Sequence, residues 1–323
     1  MFTNPEDMVS IPDTDFLIVS EMGTFMSNEP GNLVLFDTAR KHKMSIDINW
    51  QLAGESWGMN DCEQPDIEAF SPHGIDFHRR SENELALLVV NHGGRETVEF
   101  FQIIENSDTD DPIGPWRLQW RGCATPPGDP FINDVSSLED KGFVVTHMWN
   151  KSTPYWLLVT KYLLGMDTGW VWRWHPESGF TKLESASGAA PNGIAVDRQK
   201  NIAFVNLYGD DKTIKIDIAI DQKLGEMAVQ QPDNITIDSS GQLWIASHLH
   251  NPISEECNHE TSKPCMLPFE ILLADPNTLN VEFRLKQADM PMGYATVALR
   301  EGKYLYLGSA HGDRIVQIDL NIM

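Results

Sequence analysis

Six recurrences of one hairpin pattern, a further strand-like run after each, and only one strong helical segment predict an all-β fold: a six-bladed β-propeller with one helix at about 153–165. The hairpins are EDMVSIPDTDFLIVS, HGIDFHRRSENELALLVVN, NDVSSLEDKGFVVT, NGIAVDRQKNIAFVN, DNITIDSSGQLWIAS and ATVALREGKYLYLGS. Each joins a short alternating strand, through a polar turn, to a mostly apolar second strand that ends on a small polar residue. The third residue is always apolar: Met8, Ile75, Val135, Ile194, Ile235 and Val297.

NLVLFDT, TVEFFQI, WVWRWHP, TIKIDIA, EILLADP and RIVQIDL supply a third strand to each repeat, and KMSIDIN, RLQWRGC and VEFRLK a fourth to three of them. No linker or low-complexity run interrupts the series, so residues 1–323 read as one domain. The helix is read in STPYWLLVTKYLLG, between the second and third strands of blade three, with Ser152 or Thr153 as cap, Pro154 in the first turn and Gly165 as the stop. The chain ends on RIVQIDL, so blade six is expected to lack a fourth strand, and an uncovered edge invites a homodimer.

A hydrophobic fraction of 41% over 323 residues suffices for a large core. The N-terminus shows no basic start followed by an apolar run, and no stretch approaches about 18 uninterrupted apolar residues, so no export signal or membrane span is expected and a cytoplasmic location is the default. A formal charge of −23 repels phosphate backbones and argues against nucleic acid as partner, while favouring cations. Cys62, Cys123, Cys257 and Cys265 are too few and scattered for a disulfide scaffold; Cys257 and Cys265 could bridge in an oxidising compartment or stand as two free thiols.

In a propeller the first strand of each blade lines the central tunnel, so the residues that open these strands converge on one rim. They are Glu6, His73, Asn133, Asn192, Asp233 and Ala295, followed one residue deeper by Asp7, Gly74, Asp134, Gly193, Asn234 and Thr296. Carboxylates and amides at one rim are hard oxygen donors of the kind calcium takes, whereas zinc prefers nitrogen and sulfur. Asp7 and Asp134, with a backbone carbonyl such as that of Ile75, could hold a second ion deeper in the tunnel. At the far end of each hairpin the second strand returns to the rim, and the residue after its small polar end is Glu21, His92, His147, Leu207, His248 or Ala310. His92 should therefore lie beside His73, and one imidazole of such a pair can orient or deprotonate the other.

SPHGIDFH, LLVVNHGGRETVEFFQI, INDVSS, PNGIAVD, PDNITIDSSGQLWIASH and YLGSAHGDRI, in this order, closely resemble the paraoxonases and related arylesterase-like propellers of the gluconolactonase and regucalcin superfamily. The resemblance implies a catalytic calcium held by Glu6, Asn133, Asn192, Asp233 and Asn234, a structural calcium held by Asp7, Asp134 and the Ile75 carbonyl, and His73 with His92 as a hydrolytic dyad. It implies activity on small lactones, aryl esters and, promiscuously, phosphotriesters. Where that family carries an Asn-Asp-His run after the second strand of blade three, this chain has His147-Met148-Trp149, and PYWLLVTKYLLG is similar to the family's active-site helix, as packing or as an apolar lid.

The expected function is hydrolysis of a lactone or ester, with His73, assisted by His92, or else Asp233 as base. Trp57, Met148, Trp149 and Met292, with His147 and His248, are the expected substrate walls, and loops 52–70, 121–131 and 249–268 the expected seat of specificity. A ligand-binding propeller without hydrolysis and a condensing enzyme of the strictosidine synthase type are the alternatives.

Overall fold

The structure is a computed structural model and describes residues 1–23, 29–106, 114–250, 257, 264–287 and 290–322. Its strands form six sheets in chain order, one per predicted blade, antiparallel but for one added strand in blade two. Blades one, three, four and five have four strands each. Among the described residues blade six has three, with Val316–Asp319 as its edge. Blade two has five, because KMSIDIN is divided. His42–Ser45 closes blade one, Ile46 turns into the core, and Asp47–Asn49 pairs in parallel with the outermost strand of blade two, Trp116–Ala124. Residues 121–124 thus belong to that strand and not to a loop.

One irregularity recurs in all six blades. The inner strands begin at Pro5, Pro72, Pro130, Pro191, Pro232 and Ala295, and each slips register near its start. In blade two the ladder passes from Pro72↔Asn91 to Ile75↔Val89 and leaves His73 and Gly74 unpaired; in blade four it passes from Pro191↔Leu207 to Ile194↔Val205 and leaves Asn192 and Gly193. Such a bulge bends the strand and re-aims side chains, and here it falls on the predicted rim residues.

The ladder corrects two columns. In blade six Ala295 pairs with Ser309 and Ala298 with Leu307, so Ala298 stands where Met8 and Ile75 stand, and Thr296, not Ala295, holds the rim position. Adjacent apolar residues, Val297 and Ala298, made the sequence alignment slip by one. In the second strands, His147 pairs with Ile132 at the level of Asn91 and Ser247, whereas His92 and His248 lie one residue further on. Successive strand residues face opposite sides, so His147 points away from the direction that His92 and His248 share.

Alternating apolar residues pack blade against blade in six clusters around the ring. Phe70, Leu87 and Phe101 face Ile18 and Leu35 between blades one and two, and Phe100 faces Phe143 and Trp174 between two and three. Similar clusters fill the next three gaps. Met8, Val19 and Phe36 meet Val297 and Tyr306 of blade six and close the ring. Closure is reinforced by backbone bonds from Phe2 to Asp313, 2.9 Å, and from Asn4 to Gly312, 2.8 Å. Towards the opposite end of the inner strands, Arg198 of blade four reaches Asp76 and the Phe77 carbonyl of blade two, at 2.6 and 2.8 Å, and the Ser137 hydroxyl of blade three at 3.0 Å.

The helix spans Tyr155–Leu163, shorter than expected, and Pro154 is its N-cap residue. Neither Ser152 nor Thr153 caps it: the Ser152 amide donates to Asp129 and the Thr153 amide to the Asn150 carbonyl. Gly165, at φ 61°, ends it as expected. No helical residue is buried, and Tyr155, Trp156, Leu163 and Leu164 are largely exposed. Among the described residues no helix is long and apolar enough to cross a membrane. All four cysteines are paired. Cys257–Cys265 was one of the two readings, but Cys62–Cys123 spans 61 residues and only the fold brings its Cα atoms to 5.6 Å.

The inner strands approach each other closely at the bulges. A Cβ on Gly74 would lie 2.6 Å from the Cα of Asp134, so backbone must move to admit one. Gly74→Ala should destabilise the protein by about 2 kcal/mol, read as a lower denaturant midpoint at unchanged slope; an unshifted midpoint would contradict this contact.

Candidate functional site

Each bulge turns polar residues into the tunnel mouth, where Glu6, His73, Asn133, Asn192, Asp233 and Asn234 are all buried. Their amide groups are arranged alike. Asn234 donates its Nδ2 to Glu6 Oε1 at 2.7 Å, Asn133 Nδ2 lies 3.1 Å from His73 Nε2, and the Asn192 side chain hydrogen-bonds Asp233. The donor half of each amide thus ties the ring together. The acceptor half has no partner: Asn133 Oδ1, Asn192 Oδ1, Asn234 Oδ1 and Glu6 Oε2 are buried oxygens without a hydrogen bond. One such orphan costs about 1–3 kcal/mol, and four from four blades, in one ring, call for a shared electrophilic partner.

The carboxyls make the same demand. Burial, with Asp7 and Asp233 close by, pushes Glu6 well above its ordinary range. Burial also pushes Asp233 up to about 8, against the hydrogen bond from Asn192. One layer deeper, burial raises Asp7 to about 7 and Asp134 well above its usual value. Five hard oxygen donors, of which three are neutral amides, could hold a cation. Among the described residues no three of His, Cys, Asp and Glu lie close enough to do so by themselves.

The deeper trio is differently placed. Asp7 accepts the Met8 and Ile75 amides at 2.7 and 2.8 Å, and Asp134 those of Val135 and Ile194 at 2.8 and 2.7 Å. Ile75 therefore offers Asp7 its N–H, and neither Asp7 nor Asp134 has an orphaned side-chain oxygen.

His73 and His92 come together as expected, with ring centroids 4.9 Å apart and planes at 79°. Burial, and then the neighbouring His92, hold His73 well below its ordinary pKa, so it is neutral. His73 Nε2 also lies 3.6 Å from Glu6 Oε1. His92 stacks on Phe131 at 4.7 Å, and Phe131 on Trp149 at 4.9 Å, so an aromatic ladder runs outward from the dyad. Trp149, partly exposed at its end, is brought to the site; in the ladder's register the counterpart of Phe131 is Tyr294 of blade six, which the slipped sequence column hid.

His248 lies across the mouth. Its Nε2 is 3.1 Å from the Ala295 carbonyl and 3.3 Å from Asp233 Oδ2, and its Nδ1 is 3.2 Å from the Tyr208 hydroxyl. Burial lowers its pKa to about 3, and Tyr294 stacks on its ring at 4.1 Å. Met292 is buried beside Ala295 in the adjoining core. Three expected wall residues pack elsewhere. His147 lies on Trp170 at 4.1 Å and accepts from Trp172 Nε1 at 3.3 Å, while burial drops its pKa to about 4. Met148 is buried, and Trp57 is packed between blades two and three, flanked by the guanidinium groups of Arg80 and Arg121 at 4.5 and 4.4 Å. Loop 249–268 lies mostly outside the described residues.

A sequence model of the arylesterase family matches residues 4–266. The chain is 24% identical over 268 residues to serum paraoxonase/arylesterase 2 of Rattus norvegicus, covering 80% of this chain and 69% of that protein. It is 25% identical over 231 residues to serum paraoxonase/arylesterase 1 of Mus musculus, covering 70% of this chain but only 59% of that one, less than two thirds of its length. In structure it resembles a gluconolactonase of Xanthomonas campestris, with a TM-score of 0.52 and 13% identity over 96% of this chain and 84% of the other, a likeness of fold.

If the orphaned oxygens await a cation, calcium at 100 times its Kd should stabilise the native protein by about 2.7 kcal/mol. The rise in unfolding temperature should shrink in Asn192→Ala, which removes one donor; an equal rise in that variant would place the binding elsewhere.

Proposed function

Since the chain belongs to the arylesterase family, whose model covers most of its length, we propose that it is a calcium-dependent hydrolase of small lactones or aryl esters. The reading rests above all on four unpartnered oxygens in one ring beside an imidazole pair. Glu6, Asn133, Asn192, Asp233 and Asn234 would hold the ion. When bound, calcium supplies polarisation of the ester carbonyl and stabilisation of the charge that develops on its oxygen. A second, structural ion at Asp7, Asp134 and the Ile75 carbonyl draws support only from the shared burial of the two carboxyls.

His73 is neutral and buried beside the ring, so it can take a proton from an attacking water without first losing one. Its Nε2 faces Asn133 and Glu6, which fixes the imidazole plane. Asp233 is the alternative base; its contacts with His248 and Asn192 make it a positioned carboxyl, not a free one. Phe131 and Trp149 would form one apolar wall, and the exposed apolar side chains of the helix a cover above it.

His73→Gln should lower turnover of a lactone panel by about 10²–10⁴-fold, and Asp233→Ala should abolish both turnover and calcium-induced stabilisation. Full turnover of every lactone by His73→Gln beside an inactive Asp233→Ala would refute the imidazole base and leave the carboxylate. Full turnover by chelated, still folded protein would refute the role of the ion.

A further inference from the structure

We propose that Glu96 is a positioning residue that fixes the ring and the tautomer of His92 beside His73; the inference rests on the hydrolytic reading above. His92 and Glu96 stand on the two shoulders of the turn through Gly93, Gly94 and Arg95, just beyond the ladder pair Asn91↔Thr97. Gly94, at φ 73°, lets the turn close tightly enough to bring the side chains together. Glu96 Oε2 lies 2.8 Å from His92 Nδ1.

Everything around Glu96 keeps it ionised and fixed. The carboxylate is buried, accepts the Ile132 amide at 3.2 Å and receives Lys151 Nζ at 3.0 Å. Burial raises its pKa, but His92 and Lys151 outweigh burial and hold it below its ordinary value. Phe131 covers one face of the His92 ring at an interplanar angle of 5°, which leaves rotation about its own axis as the freedom Glu96 removes.

The tautomers follow. An ionised Glu96 accepts from His92 Nδ1–H, so the lone pair of neutral His92 is on Nε2. Asn133 Nδ2 donates to His73 Nε2, so neutral His73 carries its proton on Nδ1. Those two atoms, His92 Nε2 and His73 Nδ1, are the ring nitrogens of the pair that lack a partner. His92 is thus held with its Nε2 lone pair unengaged, and a proton arriving there would leave an imidazolium against the Glu96 carboxylate. Glu96 stays ionised throughout and touches no substrate.

The test combines kinetics with histidine ring NMR on the calcium-loaded protein. Relative to wild type, Glu96→Gln should lower kcat about 10–100-fold with KM within about threefold. Glu96→Asp should recover part of the loss, and Glu96→Gln should cost nothing further in a His92→Gln background. In 15N-labelled protein the His92 signals, assigned by their absence from His92→Gln, should show a protonated Nδ1 that is lost or shifted in Glu96→Gln at unchanged unfolding temperature. Wild-type kcat in Glu96→Gln, an equal loss with and without His92, or a His92 proton on Nε2 would overturn the proposal. Full activity of His92→Gln would refute the dyad itself, while the NMR result still decides whether Glu96 sets the His92 tautomer.

Discussion

Uncompensated negative charge in the tunnel is the constraint on which the rest of the molecule turns. Glu6, Asp7, Asp134 and Asp233 are buried along the inner strands, and among the described residues none of them pairs with Lys or Arg. Isolated carboxylates in such a place cost several kcal/mol each unless protonated or matched by a cation. The bulge at the top of each inner strand creates this situation, because a regular ladder would send alternate residues into the gaps between blades. The blade-to-blade apolar clusters supply the stability against which so many polar groups can be held inward.

The two layers meet that constraint differently. Asp7 and Asp134 are each stapled by two backbone amides, one of them from the neighbouring blade, and so help to set the spacing between inner strands. The rim instead ties amide donors to its neighbours and leaves its oxygens bare. One layer therefore builds and the other waits. The imidazoles at the two sides of the mouth are likewise unequal: His248 is held by Asp233, Ala295 and Tyr208, whereas His73 and His92 each keep one nitrogen free.

Much of this was legible in the sequence. Hairpin recurrence gave the blade number, and the column through Glu6, Asn133, Asn192 and Asp233 was correct because bulge and repeat coincide. What failed did so for want of register. Ala295 and Thr296 exchange roles by one residue, and His147, in one sequence column with His92, lies on the opposite face by the ladder. Glu96 was unreadable as a partner of His92 without the Gly93-Gly94 turn in three dimensions. Cys62–Cys123 and Arg198–Asp76 join residues whose proximity no local pattern encodes. Trp57 and Met148, expected as substrate walls, went to the core as most large apolar residues do.

The central claim is that the rim oxygens form one cation site, and anomalous diffraction from crystals grown with calcium tests it most directly. The account predicts a peak at about 2.3–2.6 Å from oxygens of Glu6, Asn133, Asn192, Asp233 and Asn234. Calcium-saturated crystals with no peak inside that ring, or with one held only by other residues, would contradict it.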